Sequence, residues 1–135
     1  MRTITGLLIT GHPPRTVPVA TRPGQQQYQA IQQALGVHTF DVVGLTADID
    51  LFVDDEGAVN GSPLNLAATV LAHTFGTPAV LFGPALALAV DPRADTIGLT
   101  PAQDRLARAA ISHPNQDVLA AIRGTLRDAG HPLPR

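Results

Sequence analysis

From residue 48 to residue 54 apolar and polar positions alternate. Ile49, Leu51 and Val53 fall on one side, and Asp48, Asp50, Phe52 and Asp54 fall on the other. Successive side chains of a strand point to opposite faces, so this period of two predicts a strand with one apolar face and one mostly acidic face. Residues 3–10 and 37–43 also read as strands, and 15–20 as a short edge strand, because Pro18 lacks a ladder donor. The spacing changes at Tyr28, Ile31 and Leu35, which with Ala30 and Ala34 predict a helix over 25–35, capped by Gly36. Ser62-Pro63 has the chemistry of another helix start. Serine accepts from the free amides and proline suits the first position, so a helix is expected over 63–75, ending at Gly76.

Residues 79–90 read as a strand bent or split at Gly83-Pro84. Thr100-Pro101-Ala102-Gln103 is a capping-box pattern and predicts a helix over 101–112. After His113-Pro114, the positions Val118, Leu119, Ile122 and Leu126 form a second helical stripe, ended by Gly130. A stripe of that kind must be covered by something. Strands with helices between them, followed by two helices, predict an α+β single domain with a mostly antiparallel sheet, packed helices and a two-helix C-terminal extension. The expected division is a core at 1–90 and an extension at 91–135 that packs on the core or on a second copy. Ile49, Leu51, Val53, Leu66, Val70, Leu71, Val80 and Phe82 are the expected core residues.

At 135 residues and 44% hydrophobic, the chain is long enough for one well-filled core. It has no cysteine, which excludes disulfides, thiolate metal sites and cysteine nucleophiles. The longest apolar stretch, 79–90, is short of the roughly 20 residues of a membrane span, and the N-terminal apolar run is too short for a signal peptide. A cytoplasmic protein is therefore expected, with no membrane partner. All nine basic residues are arginine, and neither a basic stripe nor an aromatic–basic interleaving is present, so no nucleic acid is expected as a partner.

Net charge is −2, but it is unevenly spread. Residues 47–100 carry seven acids and one arginine, while both flanking regions are net positive. Five of the eleven acids lie between Asp48 and Glu56, and Glu56 is the one glutamate. Asp55-Glu56-Gly57 supplies turn chemistry, with Gly57 expected at positive φ. The candidate binding residues are Asp50, Asp54, Asp55, Glu56, Asn60 and Asn65. Clustered carboxylates repel one another unless a cation or a basic partner neutralises them. Hard cations take such oxygen ligands, but the spacing does not match the twelve-residue calcium loop. The five histidines, at 12, 38, 73, 113 and 131, show no metal-ligand spacing. Ser62 lacks the surroundings of a nucleophile elbow and reads as a cap. Neither a phosphate loop nor a dinucleotide fingerprint is present, so no metal, cofactor or catalytic residue is assigned.

The segments Ala34-Leu35-Gly36-Val37, Val53-Asp54-Asp55-Glu56-Gly57 and Ser62-Pro63-Leu64-Asn65-Leu66-Ala67-Ala68, with Gly83-Pro84, resemble a domain-of-unknown-function family of small phage, plasmid and mobile-element proteins. That resemblance covers residues 3–90. It supplies no catalytic residues, and it implies a setting where small proteins antagonise host defences or modulate host machinery. The leading functional expectation is a non-enzymatic binding module of mobile-element type, an accessory or counter-defence protein acting by docking or sequestration. Its partner would be a host or phage protein, or a small ligand. The alternatives are a small metal-dependent enzyme using Asp50, Asp54, Asp55 and Glu56, and a structural or assembly protein forming a homo-oligomer through the C-terminal helices.

Overall fold

Six residues, Ala85-Leu-Ala-Leu-Ala-Val90, contain no polar side chain, so a strand made of them must be covered on both faces. The computed structural model of the chain, which describes residues 1–130, places them at the centre of a sheet. The elements run β1 (Arg2–Ile9), β2 (Arg15–Thr21), α1 (Gln27–Leu35), β3 (Phe40–Thr46), β4 (Ile49–Asp54), α2 (Leu66–Thr74), β5 (Ala85–Val90), β6 (Thr96–Ile97), α3 (Pro101–Ser112) and α4 (Gln116–Asp128). The strand order is β2-β1-β5-β4-β3, and β6 pairs with β5. Every pairing is antiparallel, and the fold is α+β.

The sheet is covered on both sides. Ala30, Ile31 and Leu35 of α1 pack on Leu8, Val19, Phe52, Leu86 and Leu88. On the opposite face Leu7, Ile9, Ile49, Leu51, Val53, Ala85 and Ala87 meet Ala68, Leu71 and Ala72 of α2 and Ala107 of α3. Ile122 and Leu126 of α4 are fully buried against Val70 of α2. Residues beyond 90 thus add β6 to the sheet and two helices that pack against α2. Among the described residues, no helix is long and apolar enough to cross a membrane.

Several local expectations need correction. Phe52 does not lie on an open acidic face. It is buried under α1, with its ring edge-on to Phe40 at a centroid distance of 5.3 Å. Strand β3 begins at Phe40, three residues later than the pattern suggested, and its register with β4 shifts between Gly44 and Thr46. Helix α2 begins at Leu66 with Asn65 as its cap, not at Pro63 with Ser62. The later start turns Leu66 outward, where it is 39% exposed. Val80 and Phe82 are only half-buried, because residues 79–84 are not strand; Phe82 makes one isolated bridge to Leu64. Ile49, Leu51, Val53, Val70 and Leu71 are buried as expected. The helix over 101–112 and its Thr100–Gln103 capping box form as the pattern indicates.

Both outer strands of the sheet carry protection. The Leu99 amide donates to the Thr5 carbonyl on the side of β1 away from β2. Thr5 is paired with Pro18, so the Pro18 nitrogen faces the free edge, where it costs no ladder bond. On β3, the Asp55 amide donates to the Thr39 carbonyl, so odd-numbered residues turn inward and Val42 and Gly44 turn outward. There the Val42 amide is taken by the Asp41 carboxylate at 2.8 Å, and the Gly44 carbonyl accepts from the Thr77 hydroxyl at 3.0 Å.

Candidate functional site

Strand β4 ends at Asp54, and the chain then turns through residues 55–61 before entering α2. Asp54 organises this turn rather than projecting from it. Its Oδ1 accepts from the Glu56 amide at 2.9 Å, its Oδ2 accepts from Asn60 Nδ2 at 3.1 Å, and its carbonyl accepts from the Gly57 amide. An aspartate side chain bonding the amide two residues on is a local turn-former. Asn60 repeats the device: its Oδ1 accepts from the Ser62 amide at 3.0 Å and the Ser62 hydroxyl at 2.6 Å. The Glu56 carbonyl accepts from the amides of Val59 and Asn60. The loop is therefore braced across its base, while Asp55, Glu56 and Val59 are exposed, Val59 at 85%.

Gly57 is required here for a reason other than the one expected. Its φ is not positive; that conformation belongs to Gly61, at 82°, and Gly83, at 81°. Gly57 is buried against residue 82, and a Cβ there would lie 2.3 Å from the Phe82 carbonyl oxygen. The glycine allows the turn to close onto the 79–84 segment.

Of the sequence-derived candidates, three come together. Asp54, Glu56 and Asn60 line a notch of about 110 Å³ with His38, Thr39 and the end of α1. Asp50 is not part of it; it lies farther down β4, beyond Phe52, opposite Gly44. Asp55 is on the turn, its amide tied to Thr39 and its side chain exposed. Asn65 is 4% exposed and already saturated with protein partners. Its Nδ2 donates to the carbonyls of Ile9 at 2.9 Å and Gly83 at 2.8 Å, and its Oδ1 accepts from the Ala68 amide. Among the described residues no group of three His, Cys, Asp or Glu side chains stands close enough to hold a metal ion. Among them too, the one ion pair is Asp104–Arg108 on α3, so the carboxylates of the turn have no arginine beside them. His131 lies outside the described residues.

His38 and a glutamine face were not among the candidates. Gln25, Gln29, Gln32 and Gln33, with Gly36, Val37 and His38, line an open groove of about 480 Å³ that shares its last three residues with the acidic notch. Gln29, Gln32 and Gln33 share a face of α1, a spacing present in the sequence, and Gln25, which precedes the helix, joins them by donating its Nε2 to Gln33 Oε1 at 3.1 Å. A third cleft, of about 260 Å³, lies between Thr10-Gly11, residues 62–65 and Gly83-Pro84.

No curated protein matches the chain, and no solved structure does. A family profile described as Domain of unknown function (DUF3846) matches residues 4–111, from β1 to the last turn of α3. The match runs past residue 90, where the motif resemblance stopped. It takes in β6 and nearly all of α3 and leaves α4 outside. The braced turn, the Asn65 cap and the helix that follows all lie within it, and the chain belongs to the DUF3846 family.

Proposed function

We propose that the chain is a non-enzymatic binding module that docks a basic protein surface through the exposed side chains of the 55–59 turn. The observation that carries this reading is the division of labour in that turn. Asp54 and Asn60 are spent on bracing the loop, while Asp55 and Glu56 stand exposed on it with no arginine partner among the described residues. A braced loop loses little freedom on binding, so its contacts are not offset by a large ordering cost. Its charge favours a partner of opposite sign and speeds the encounter. The resemblance of its motifs to proteins of phages and plasmids supports a mobile-element setting, with the partner a host protein met in the cytoplasm and the role accessory or counter-defence.

The test is capture of partners from host extract by the wild-type chain and by Asp55→Asn/Glu56→Gln. That pair removes charge but leaves the Asp54–Asn60 brace untouched. A captured protein whose association slows with added salt, and slows again in the double variant at unchanged melting temperature, supports docking through the turn. Equal capture by both chains at all salt concentrations refutes it.

A further inference from the structure

Asn60 is followed by Gly61, and the geometry around this pair points to a modification site. We infer that Asn60 converts spontaneously to a mixture of aspartyl and isoaspartyl forms in the folded protein, and that the conversion releases the brace on the acidic turn. The proposal is independent of what the turn binds.

The reaction needs the main-chain nitrogen of the following residue to attack the asparagine Cγ. Gly61 has no Cβ to obstruct that approach, and Asn60 is exposed, so water can carry protons to and from the reacting atoms. The side chain is already folded back. Because Asn60 Oδ1 accepts from the amide of Ser62, two residues on, the closed hydrogen-bonded ring includes both Cγ and the Gly61 nitrogen. The same Oδ1 accepts from the Ser62 hydroxyl at 2.6 Å. Two donors on one amide oxygen polarise the carbonyl, and they stay in place for the negative charge that develops there on attack.

Attack forms the bond from Gly61 N to Cγ, and the proton leaves that nitrogen for water. Collapse breaks the Cγ–Nδ2 bond; Nδ2 gains a proton from water and departs as ammonia, leaving a five-membered imide. One water then opens either of the two imide C–N bonds. Opening one restores the normal chain with a carboxylate on its side chain. Opening the other routes the chain through Cβ. In sum, one amide and one water give one acid and one ammonia.

The product changes the turn. Asn60 Nδ2 donates to Asp54 Oδ2 at 3.1 Å, and after conversion two carboxylates would face each other across that gap. Like charges at such separation repel. The brace is lost from the base of the loop that displays Asp55, Glu56 and Val59.

The other two asparagines serve as internal controls. Asn65 is buried and precedes leucine, and Asn115 precedes glutamine. The folded chain is held at neutral pH and warm temperature, with a synthetic peptide of residues 57–66 as the unfolded reference. Conversion at each position is followed by peptide mapping and by an isoaspartyl-specific methylation assay. Expected are conversion at position 60 at least as fast as in the peptide, little at 65 and 115, and a slowing of at least several-fold in Ser62→Ala. Asn60→Asp should in turn speed hydrogen exchange at the Glu56 and Val59 amides. A folded chain that keeps its amide while the peptide converts would overturn the proposal. So would conversion indifferent to Ser62→Ala, or an Asn60→Asp variant with wild-type exchange in the turn.

Discussion

The loop from Asp54 to Ser62 and the segment it feeds, from Asn65 to Thr69, use the same tools to opposite ends. Both rest on an asparagine whose Oδ1 accepts main-chain amides. In the loop, Asn60 is exposed, and its bonds to Asp54 and Ser62 tie together residues at most six positions apart. In the segment, Asn65 is buried and reaches carbonyls 56 and 18 positions away, on the last residue of β1 and on Gly83. Thr69 completes that knot: its hydroxyl donates to the Asn65 carbonyl and accepts from the Leu81 amide, and it too is fully buried. The exposed bonds compete with water and decide the shape of a loop. The buried ones replace water altogether and decide how three parts of the chain meet. One residue type thus makes a latch in one place and a strut in the other, according to burial.

The difference can be broken at its strongest point. Asn65→Ala removes the cap on the Ala68 amide and leaves the Ile9 and Gly83 carbonyls without this donor, at a cost of roughly 2–4 kcal/mol. Urea denaturation measures it, and a loss under about 1 kcal/mol would mean that water or a shifted side chain replaces the strut.

A pair of glycines gives the next contrast. Gly57→Ala places a Cβ against the Phe82 carbonyl, a collision with main chain that cannot be relieved by a rotamer change. A loss of about 2 kcal/mol or more is expected, in the range of overpacking a filled core. Gly61→Ala meets open space but must hold φ near 82°, so about 1 kcal/mol is expected. If the order of the two denaturation midpoints is reversed, the loop does not close onto the 79–84 segment as described.

The smallest effect belongs to the latch itself. Asn60→Ala deletes exposed hydrogen bonds and should cost only about 0.5–1 kcal/mol. Its signature is local: faster hydrogen exchange in the turn, with exchange in β5 unchanged. A loss as large as that of Asn65→Ala would erase the distinction between the two regions.

The fold was legible wherever its cause is local. The α1 pattern ends at Gly36, which takes φ 77° as a glycine cap should, and the Thr100–Gln103 box starts α3. The alternation in β4 identified one of its two covered faces, that of Ile49, Leu51 and Val53. What escaped depends on distant partners. Ser62-Pro63 is a good local helix start, yet residue 64 is drawn into a bridge with Phe82 and Asn65 into bonds with Ile9 and Gly83, so α2 waits until Leu66. Phe52 shares its strand face with Asp50 and Asp54, and only the path of α1 across that face explains its burial. The turn into β6 carries an alanine, Ala94, at φ 67° where glycine is favoured, so no glycine signalled a hairpin. The candidate site was half legible. Its acidic turn is a local motif, but the meeting of Asp54, Glu56 and Asn60 with His38 depends on how α1 and β3 are joined.

The treatment of the two outer strands has a consequence for life in a crowded cell. An open sheet offers every passing chain a template, and a template that copies itself grows without limit into fibrils. Here one border carries Pro18, and the other has its Val42 amide and Gly44 carbonyl occupied by the protein's own side chains. Each blocked group removes a rung from the ladder a neighbour would climb. A neighbouring copy therefore finds fewer free main-chain groups to pair with along either border, and edge-to-edge growth is disfavoured.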